Sequence, residues 1–193
     1  MNEGTNGRGG RLEVISGSMF SGKTQELIAR LRAAQTAGQR VGAFKHRIDD
    51  RYDPDHLITH VKDRFPATRV GAAAAIVGLS EGLDTVAIDE GHFFGRPLIS
   101  AVAELLEAGR RVIVVGLEND AWGRPFTPMP QLADLAEQVT HLYAKCRVCG
   151  ADAPYSQRMV PVNSPTMVGG TDEYEPRCRD CFRPVDDSPP PMD

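Results

Sequence analysis

The sequence GSMFSGKT, residues 17–24, combines a glycine-rich loop with a lysine and a hydroxyl side chain. It matches the pattern G-x-x-x-x-G-K-[ST] and lies between a strand-like and a helix-like segment, the context that a phosphate-binding loop requires. Backbone N–H groups of such a loop point at phosphate oxygens, Lys23 should reach the outer phosphates, and the Thr24 hydroxyl should hold Mg²⁺. The segment therefore predicts a nucleoside-triphosphate site. The predicted phosphate-binding residues are Gly17, Ser18, Met19, Phe20, Ser21, Gly22, Lys23 and Thr24.

The run AIDEGHFF, residues 87–94, places two adjacent carboxylates at the end of an apolar strand. Asp89 is suited to complete a Mg²⁺ site with Thr24, because an acidic residue at a second strand end does so in phosphate-loop proteins. Glu90 has two interpretations: it polarises water in an ATPase, or it accepts the proton of a substrate hydroxyl in a small-molecule kinase. The letters D-E-x-H, ending at His92, also match a motif of ATP-driven nucleic-acid helicases.

Four cysteines form two C-x-x-C pairs, CRVC and CRDC, with residues 150–177 between them. Two such pairs can close a tetrahedral Zn²⁺ site that has no open position for chemistry. A redox dithiol is the alternative for one pair alone, but two pairs without any other cysteine favour structural Zn²⁺. The predicted ligands are Cys146, Cys149, Cys178 and Cys181, and the long segment between the pairs is predicted to be a loop.

The composition indicates one good-sized domain with room for a small appendage. The chain has 193 residues, of which 41% are hydrophobic, so it can bury a core and is not a wholly disordered chain. Its formal net charge is −4, which provides no global positive field for a nucleic acid. We therefore expect no nucleic-acid partner, although a local basic groove stays compatible with this charge.

The N-terminal segment 1–10 is polar and glycine-rich, without the apolar region of a signal peptide, and is predicted to be a flexible tail. No apolar run approaches the ~20 residues that a membrane helix needs. We therefore expect a cytoplasmic protein without a membrane partner. In that reducing compartment, cysteines are more often metal ligands or catalytic thiols than disulfides.

Hydrophobic periodicity predicts the elements that must position these residues. Predicted strands cover 12–16, 41–45, 84–89 and 111–116, and predicted helices cover 23–37, 97–107 and 130–138. The alternation of strands and helices indicates an α/β fold with a parallel sheet flanked by helices. The predicted organisation is a nucleotide-binding domain at 11–144, a zinc-binding domain at 145–182 and a disordered tail at 183–193.

Taken together, the motifs resemble those of the thymidine kinase family of the cellular, zinc-containing type. The resemblance is carried, from about residue 10 to residue 182, by GSMFSGKT, DDRY, IDEGHFF, GLEND…RPF and KCRVCG…YSQR…VGGTDEY…CRDC. It implies a phosphate-loop α/β domain and a small zinc domain with a lasso loop, the segment between the cysteine pairs. It also implies transfer of the γ-phosphoryl group of ATP to the 5′-hydroxyl of thymidine, with deoxyuridine accepted too. A dimer or tetramer inhibited by dTTP is expected.

The same resemblance implies roles for individual residues. Glu90 corresponds to the general base, Asp49 to a residue that helps to hold Mg²⁺, and Arg51 to a residue facing the phosphates. Asp89 and His92 complete the predicted ATP-binding set. The predicted substrate-binding residues are Met19, Phe93, Leu117, Ala121, Trp122, Phe126, Val168, Gly169, Gly170 and Tyr174.

Two departures from the family pattern affect this site. The family usually has Gln where this chain has His92, and we assign His92 no proton-transfer role. The aromatic residue usual at position 121 is replaced by Ala121, with Trp122 beside it. Either Trp122 stacks on the base instead, or the pocket is wider.

Two other functions remain to be weighed. A helicase-type motor needs two nucleotide-binding lobes, whereas 193 residues hold one. A non-catalytic, nucleotide-regulated zinc module would bind ATP without turnover, but the presence of Lys23, Thr24, Asp89 and Glu90 argues against it.

Overall fold

The computed structural model describes residues 9–49, 53, 55–59, 62–161, 169–170 and 172–184. In chain order the elements are β1 (Arg11–Gly17), α1 (Lys23–Thr36), β2 (Val41–His46), β3 (His56–Ile58), β4 (Arg64–Pro66), β5 (Thr68–Val70), α2 (Ala73–Leu79), β6 (Thr85–Asp89), a 3-10 helix (Gly91–Phe94), α3 (Pro97–Glu107), β7 (Arg111–Leu117), α4 (Met129–Leu135), β8 (Gln138–Leu142), β9 (Ala144–Lys145), β10 (Asp152–Ala153), β11 (Tyr155–Arg158) and β12 (Tyr174–Arg177). Most of both predicted tails lies outside the described residues, and the predicted domain limits stay predictions.

A six-stranded sheet organises most of the described chain. Its strands lie in the order β5, β2, β6, β7, β1, β8, and every neighbouring pair is parallel. Strands covered on both faces need near-continuous apolar sequences. Accordingly, β6 is buried along its whole length and β7 at all positions except its two ends. The predicted α/β class, with a parallel sheet flanked by helices, is confirmed.

The two faces of the sheet carry separate cores, because successive side chains of a strand point to opposite faces. Val14 of β1 belongs to a core with α2, α3 and α4, whereas Ile15 belongs to a core with α1 and the β3–β4 hairpin. From α1 this second core takes Leu27, Ile28 and Leu31, all fully buried. Each contributes roughly 1.5–3 kcal/mol to stability by its burial. The loops at the carboxyl ends of the strands are thereby anchored on a packed scaffold.

The helix predicted for 130–138 is shorter in the structure, and a strand follows it. α4 ends at Leu135, and β8 begins at Gln138 on the outer side of β1. Between them, the Glu137 N–H donates to the Leu12 carbonyl at 3.0 Å, and the Glu137 carboxylate accepts from the Leu12 N–H at 2.5 Å. The chain after α4 thus forms hydrogen bonds with β1, and these use the Glu137 N–H that a further helical turn would have needed.

Several short elements lie where no element was predicted. The strands β3, β4 and β5 have three residues each, too few to show an alternating pattern. α2 is alanine-rich, and its signal is the high helix propensity of alanine rather than an amphipathic stripe.

The C-terminal part contains two small antiparallel pairs, β9 with β10 and β11 with β12. Three of these strands lie within 150–177, so the described part of the predicted loop is more ordered than expected. β12 ends at Arg177, directly before Cys178. The strand β12 therefore leads directly into the second cysteine pair without a linker.

None of the described helices is both long enough and apolar enough to cross a membrane.

Candidate functional site

The glycine-rich loop joins β1 to α1 at the carboxyl edge of the sheet. It begins at Gly17, where a side chain would overlap the Leu142 carbonyl oxygen of the neighbouring strand, so glycine is required there. It ends at Gly22, whose φ of 85° is readily adopted only by glycine. The Lys23 side chain is 9% exposed, and its ammonium group donates to the Ser18 carbonyl at 2.5 Å. The predicted loop geometry is present, with the lysine folded over its own loop.

The end of β6 brings the two predicted carboxylates to this loop. Thr24 Oγ1 donates to Asp89 Oδ2 at 3.4 Å, although the two residues are 65 positions apart. Asp89 Oδ1 accepts from the Glu90 N–H at 3.0 Å, so one buried carboxylate contacts both neighbours. The hydroxyl predicted to hold Mg²⁺ and the predicted metal-binding carboxylate therefore lie together.

Glu90 itself has an unusual backbone. Its φ of 51° and ψ of 43° lie in the left-handed region, where a residue with a side chain costs about 1–3 kcal/mol. This turn ends the strand and begins the 3-10 helix. The Glu90 side chain stays 15% exposed, so part of it is accessible from solvent.

Asp49 lies close to the same edge and is 8% exposed. Next to it the structure reveals a cation that the sequence reasoning missed: Lys45 is paired in register with Asp89 and is 3% exposed. Its ammonium group donates to the carbonyl oxygens of Asp53, at 2.5 Å, and His56, at 2.9 Å. Burial lowers the pKa of Lys45, whereas the negative charges of Asp49 and Asp89 act in the opposite direction. The feature of the sequence that could have identified Lys45 is a charged residue within the largely apolar strand β2.

An aromatic wall follows Glu90. His92, in the 3-10 helix, is 3% exposed, and its ring lies 4.2 Å from that of Phe93 and 4.6 Å from that of Phe126. The Leu117 N–H donates to His92 Nδ1 at 3.2 Å. The structure thus brings together Phe93, Leu117 and Phe126, three of the predicted substrate-binding residues, around His92.

Met19, another predicted pocket residue, is held by the C-terminal part of the chain. Its N–H donates to Ser156 Oγ of β11 at 2.9 Å, and both residues are buried. The Ala144 N–H donates to Ser18 Oγ at 3.4 Å. Ser156 was missed as a site residue although it lies in the segment YSQR. Sequence spacing could not show that it reaches a loop 137 positions away.

The described end of the predicted lasso forms a compact turn. The Gly170 N–H donates to Glu173 Oε2 at 2.6 Å, and the Tyr174 N–H donates to the Gly170 carbonyl at 3.2 Å. The Tyr174 ring packs against Gly169, where a Cβ atom would meet it at 2.7 Å. Gly169, Gly170 and Tyr174 are therefore neighbours. Val168 and Arg51, also predicted for the site, lie outside the described residues.

A second turn carries Trp122 and the neighbouring Ala121. Asp120 Oδ1 accepts from the backbone N–H groups of Trp122 and Arg124, both at 2.9 Å, and its Oδ2 accepts from Arg124 Nε at 2.8 Å. The Arg124 guanidinium carbon lies 5.4 Å from the centre of the Trp122 ring, a cation–π contact. Three hydrogen bonds to Asp120 thus hold this turn, and the indole lies against the guanidinium.

The four cysteines converge in the C-terminal part. Their sulfur atoms all lie within 4.8 Å of one another, and Cys149 Sγ is 3.5 Å from Cys178 Sγ. Zn–S bonds of about 2.3 Å in a tetrahedron place sulfur atoms about 3.8 Å apart, so the cluster fits Zn²⁺. Burial raises the pKa of the Cys146 thiol, but N–H groups around it bring that pKa to about 6, whereas hydrogen bonding from Cys178 and burial raise the pKa of Cys181 to about 12. Cysteine ligands bind a metal as thiolates, so a bound cation would hold these sulfur atoms deprotonated.

Comparison with known proteins gives consistent matches. A family model described as thymidine kinase matches residues 10–182. A thymidine kinase from Rhodothermus sp. (strain ITI 518) is 49% identical over 175 residues, which cover 91% of this chain and 82% of that protein. Thymidine kinases from Bacteroides thetaiotaomicron and Bdellovibrio bacteriovorus are each 44% identical, over 91% and 93% of this chain and 88% and 89% of their own lengths.

Proposed function

This chain belongs to the thymidine kinase family and transfers phosphate from ATP to thymidine, and we propose that Glu90 is the general base of that reaction. The observation that carries this proposal is the double contact of Asp89, which reaches the phosphate-loop hydroxyl of Thr24 with one oxygen and the Glu90 N–H with the other. Because the Glu90 N–H is bound to the carboxylate that also contacts the phosphate loop, Glu90 would lie near both the γ-phosphate of ATP and the acceptor hydroxyl.

The phosphate loop supplies the binding site for ATP. Its N–H groups and the N-terminus of α1 face the phosphates, and Lys23 leaves the Ser18 carbonyl to contact them. The side chains of Thr24, Asp49 and Asp89 would hold Mg²⁺, since hydroxyl and carboxylate oxygens are the ligands that this ion takes. Bound there, Mg²⁺ neutralises charge on the transferring phosphoryl group. The proposal also places Arg51 facing the phosphates.

The acceptor lies on the Glu90 side of this edge. Glu90 accepts the proton of the 5′-hydroxyl, whose oxygen then attacks the γ-phosphorus while ADP leaves. The aromatic wall and the lasso turn enclose the base of thymidine or deoxyuridine. The pocket residues are Met19, Phe93, Leu117, Phe126, Val168, Gly169, Gly170 and Tyr174. Trp122 replaces the aromatic residue absent at Ala121 by moving from Arg124 onto the base.

The cysteine cluster has a structural task in this proposal. Four cysteine sulfur atoms within 4.8 Å of one another can fill all four positions of a tetrahedral site, so bound Zn²⁺ would serve folding and not chemistry. It anchors both ends of the lasso. The proposal further includes a cytoplasmic dimer or tetramer that dTTP inhibits and that has no nucleic-acid partner.

The test is a survey of acceptors. ADP release with ATP and Mg²⁺ should depend on thymidine or deoxyuridine and yield the 5′-monophosphate, and single-stranded DNA should not stimulate it. Stimulation by DNA without a response to nucleosides would refute the proposal. Inhibition of the reaction by added dTTP, and the mass of the protein in solution, check the proposed regulation and assembly.

A further inference from the structure

His92 is buried between the end of β7 and the Glu90 carboxylate. Its side chain is 1% exposed, whereas that of Glu90 is 15% exposed. The ring packs against the rings of both Phe93 and Phe126. One ring nitrogen faces the end of β7, and the other faces Glu90.

The contact with Leu117 determines which nitrogen carries the proton. The Leu117 N–H donates to Nδ1 at 3.2 Å, and a backbone N–H cannot accept a hydrogen bond. Nδ1 is therefore the unprotonated nitrogen, and in the neutral ring the proton resides on Nε2. Nε2 lies 3.6 Å from Glu90 Oε2, so its N–H is on the side of the carboxylate.

Glu90 needs such support, because its backbone is strained and its side chain borders the site opening. A strained residue persists only where its surroundings hold it. The separation of 3.6 Å exceeds a normal hydrogen bond. Catalytic contacts of this kind often shorten when substrate closes the site.

We propose that His92 is a positioning residue for Glu90: Leu117 fixes its tautomer, and its Nε2–H orients the Glu90 carboxylate toward the acceptor hydroxyl. This inference rests on the proposed role of Glu90 as base. It gives His92 no proton to transfer. It also explains how a histidine can stand at this position, since a glutamine amide likewise offers an acceptor beside a donor.

The test compares His92→Gln with His92→Leu. The glutamine can accept from the Leu117 N–H and donate to Glu90, whereas leucine fills the apolar site but can do neither. Misplacing a catalytic group by about 1 Å can cost on the order of 10²-fold in rate. We expect kcat of His92→Leu to fall by roughly ten- to a hundredfold, with the KM values for thymidine and ATP little changed. The kcat of His92→Gln should stay close to that of the wild-type enzyme.

A packing role makes a different prediction. If His92 only fills space, both variants lose thermal stability without a selective fall in kcat, and this result would overturn the inference. The combination with Glu90→Gln gives a second arm. Once Glu90 cannot accept a proton, adding His92→Leu should slow the enzyme no further, and a full additional loss would show that His92 acts independently.

The wild-type enzyme supplies a measurement that does not depend on a folded variant. Nitrogen-15 NMR of the histidine rings should show the Nε2–H tautomer for His92 at neutral pH, and a proton on Nδ1 would contradict the proposal. Failure of the proposed function itself is recognisable separately. Normal kcat in Glu90→Gln removes both ideas, whereas loss in Glu90→Gln with normal kcat in His92→Leu removes this inference alone.

Discussion

Removing Zn²⁺ should weaken the binding of both substrates, and that of thymidine more than that of ATP. We choose Cys178→Ser, because Cys178 directly follows β12 and is buried within the cysteine cluster. The variant should lose the metal and the order of the lasso segment, which has four prolines and three glycines among its 28 residues and too few apolar side chains to order itself. The proposed contacts of Gly169 and Tyr174 with the nucleoside would depend on that order.

The structure also sets the expected loss for ATP. β12 pairs with β11 along four residues, and β11 carries Ser156, which accepts the Met19 N–H of the phosphate loop. A hydrogen bond of this kind contributes about 0.5–1.5 kcal/mol, which corresponds to a roughly two- to tenfold loss of ATP affinity. Thymidine affinity should fall further, since the lasso that we propose as one wall of its pocket would be disordered in the variant.

The assay is calorimetric titration of each protein with a non-hydrolysable ATP analogue and with thymidine, after metal analysis. The wild-type protein should contain one Zn²⁺ per chain. Ser156→Ala is the matched control: it should reproduce the ATP loss while keeping the metal. Normal thymidine binding by zinc-free Cys178→Ser would refute the reasoning, as would unchanged ATP binding in both variants.

Three further predictions concern the indole, the loop glycine and a buried carboxylate. Thymidine should change the fluorescence of Trp122, the chain's one tryptophan, and Trp122→Ala should raise KM more than it lowers kcat; an unchanged signal with normal kinetics would place the indole outside the pocket. Gly17→Ala should destabilise the protein by about 3 kcal/mol or more, because its Cβ would overlap backbone, whereas Gly38→Ala, with open space around it, should cost only about 1–2 kcal/mol in urea unfolding. Burial raises the pKa of Glu13, but hydrogen bonding and charge from Arg111 outweigh this effect and leave that pKa below 4.5, so the resulting stability is present above pH 4.5 and lost as pH falls through the lowered pKa. The free energy of unfolding should therefore differ less between pH 7 and pH 3 for Glu13→Gln than for the wild-type protein, and equal differences would contradict this.

The larger elements could be predicted from the sequence because their signals are local. The phosphate loop is recognisable because its glycines lie between a short apolar strand, β1, and an amphipathic helix, α1, within a single βα unit. Asp89 is the last residue of the buried strand β6 and Glu90 follows it, so their place at the carboxyl ends of the parallel strands could be predicted. The four cysteines cluster as their spacing predicted.

The remaining site residues depend on contacts between distant segments. Ser156 reaches Met19 across 137 positions, and Lys45 meets Asp89 only through the pairing of β2 with β6. Neither partner can be identified from spacing. For His92, the sequence showed a departure from the family pattern but not its burial or its hydrogen bond to Leu117, because these come from the packing of the 3-10 helix on β7.

The role of Glu90 is tested most directly by single-turnover formation of thymidine 5′-monophosphate by Glu90→Gln. The amide keeps the shape of the side chain but cannot accept the proton, so the rate should fall by about 10²–10⁴-fold while both substrates still bind. Glu118→Gln is the control, since it makes the same change to a carboxylate just beyond the end of β7, and it should keep its rate. A near-normal rate for Glu90→Gln would contradict the proposed mechanism and would show that positioning of the substrates suffices without this base.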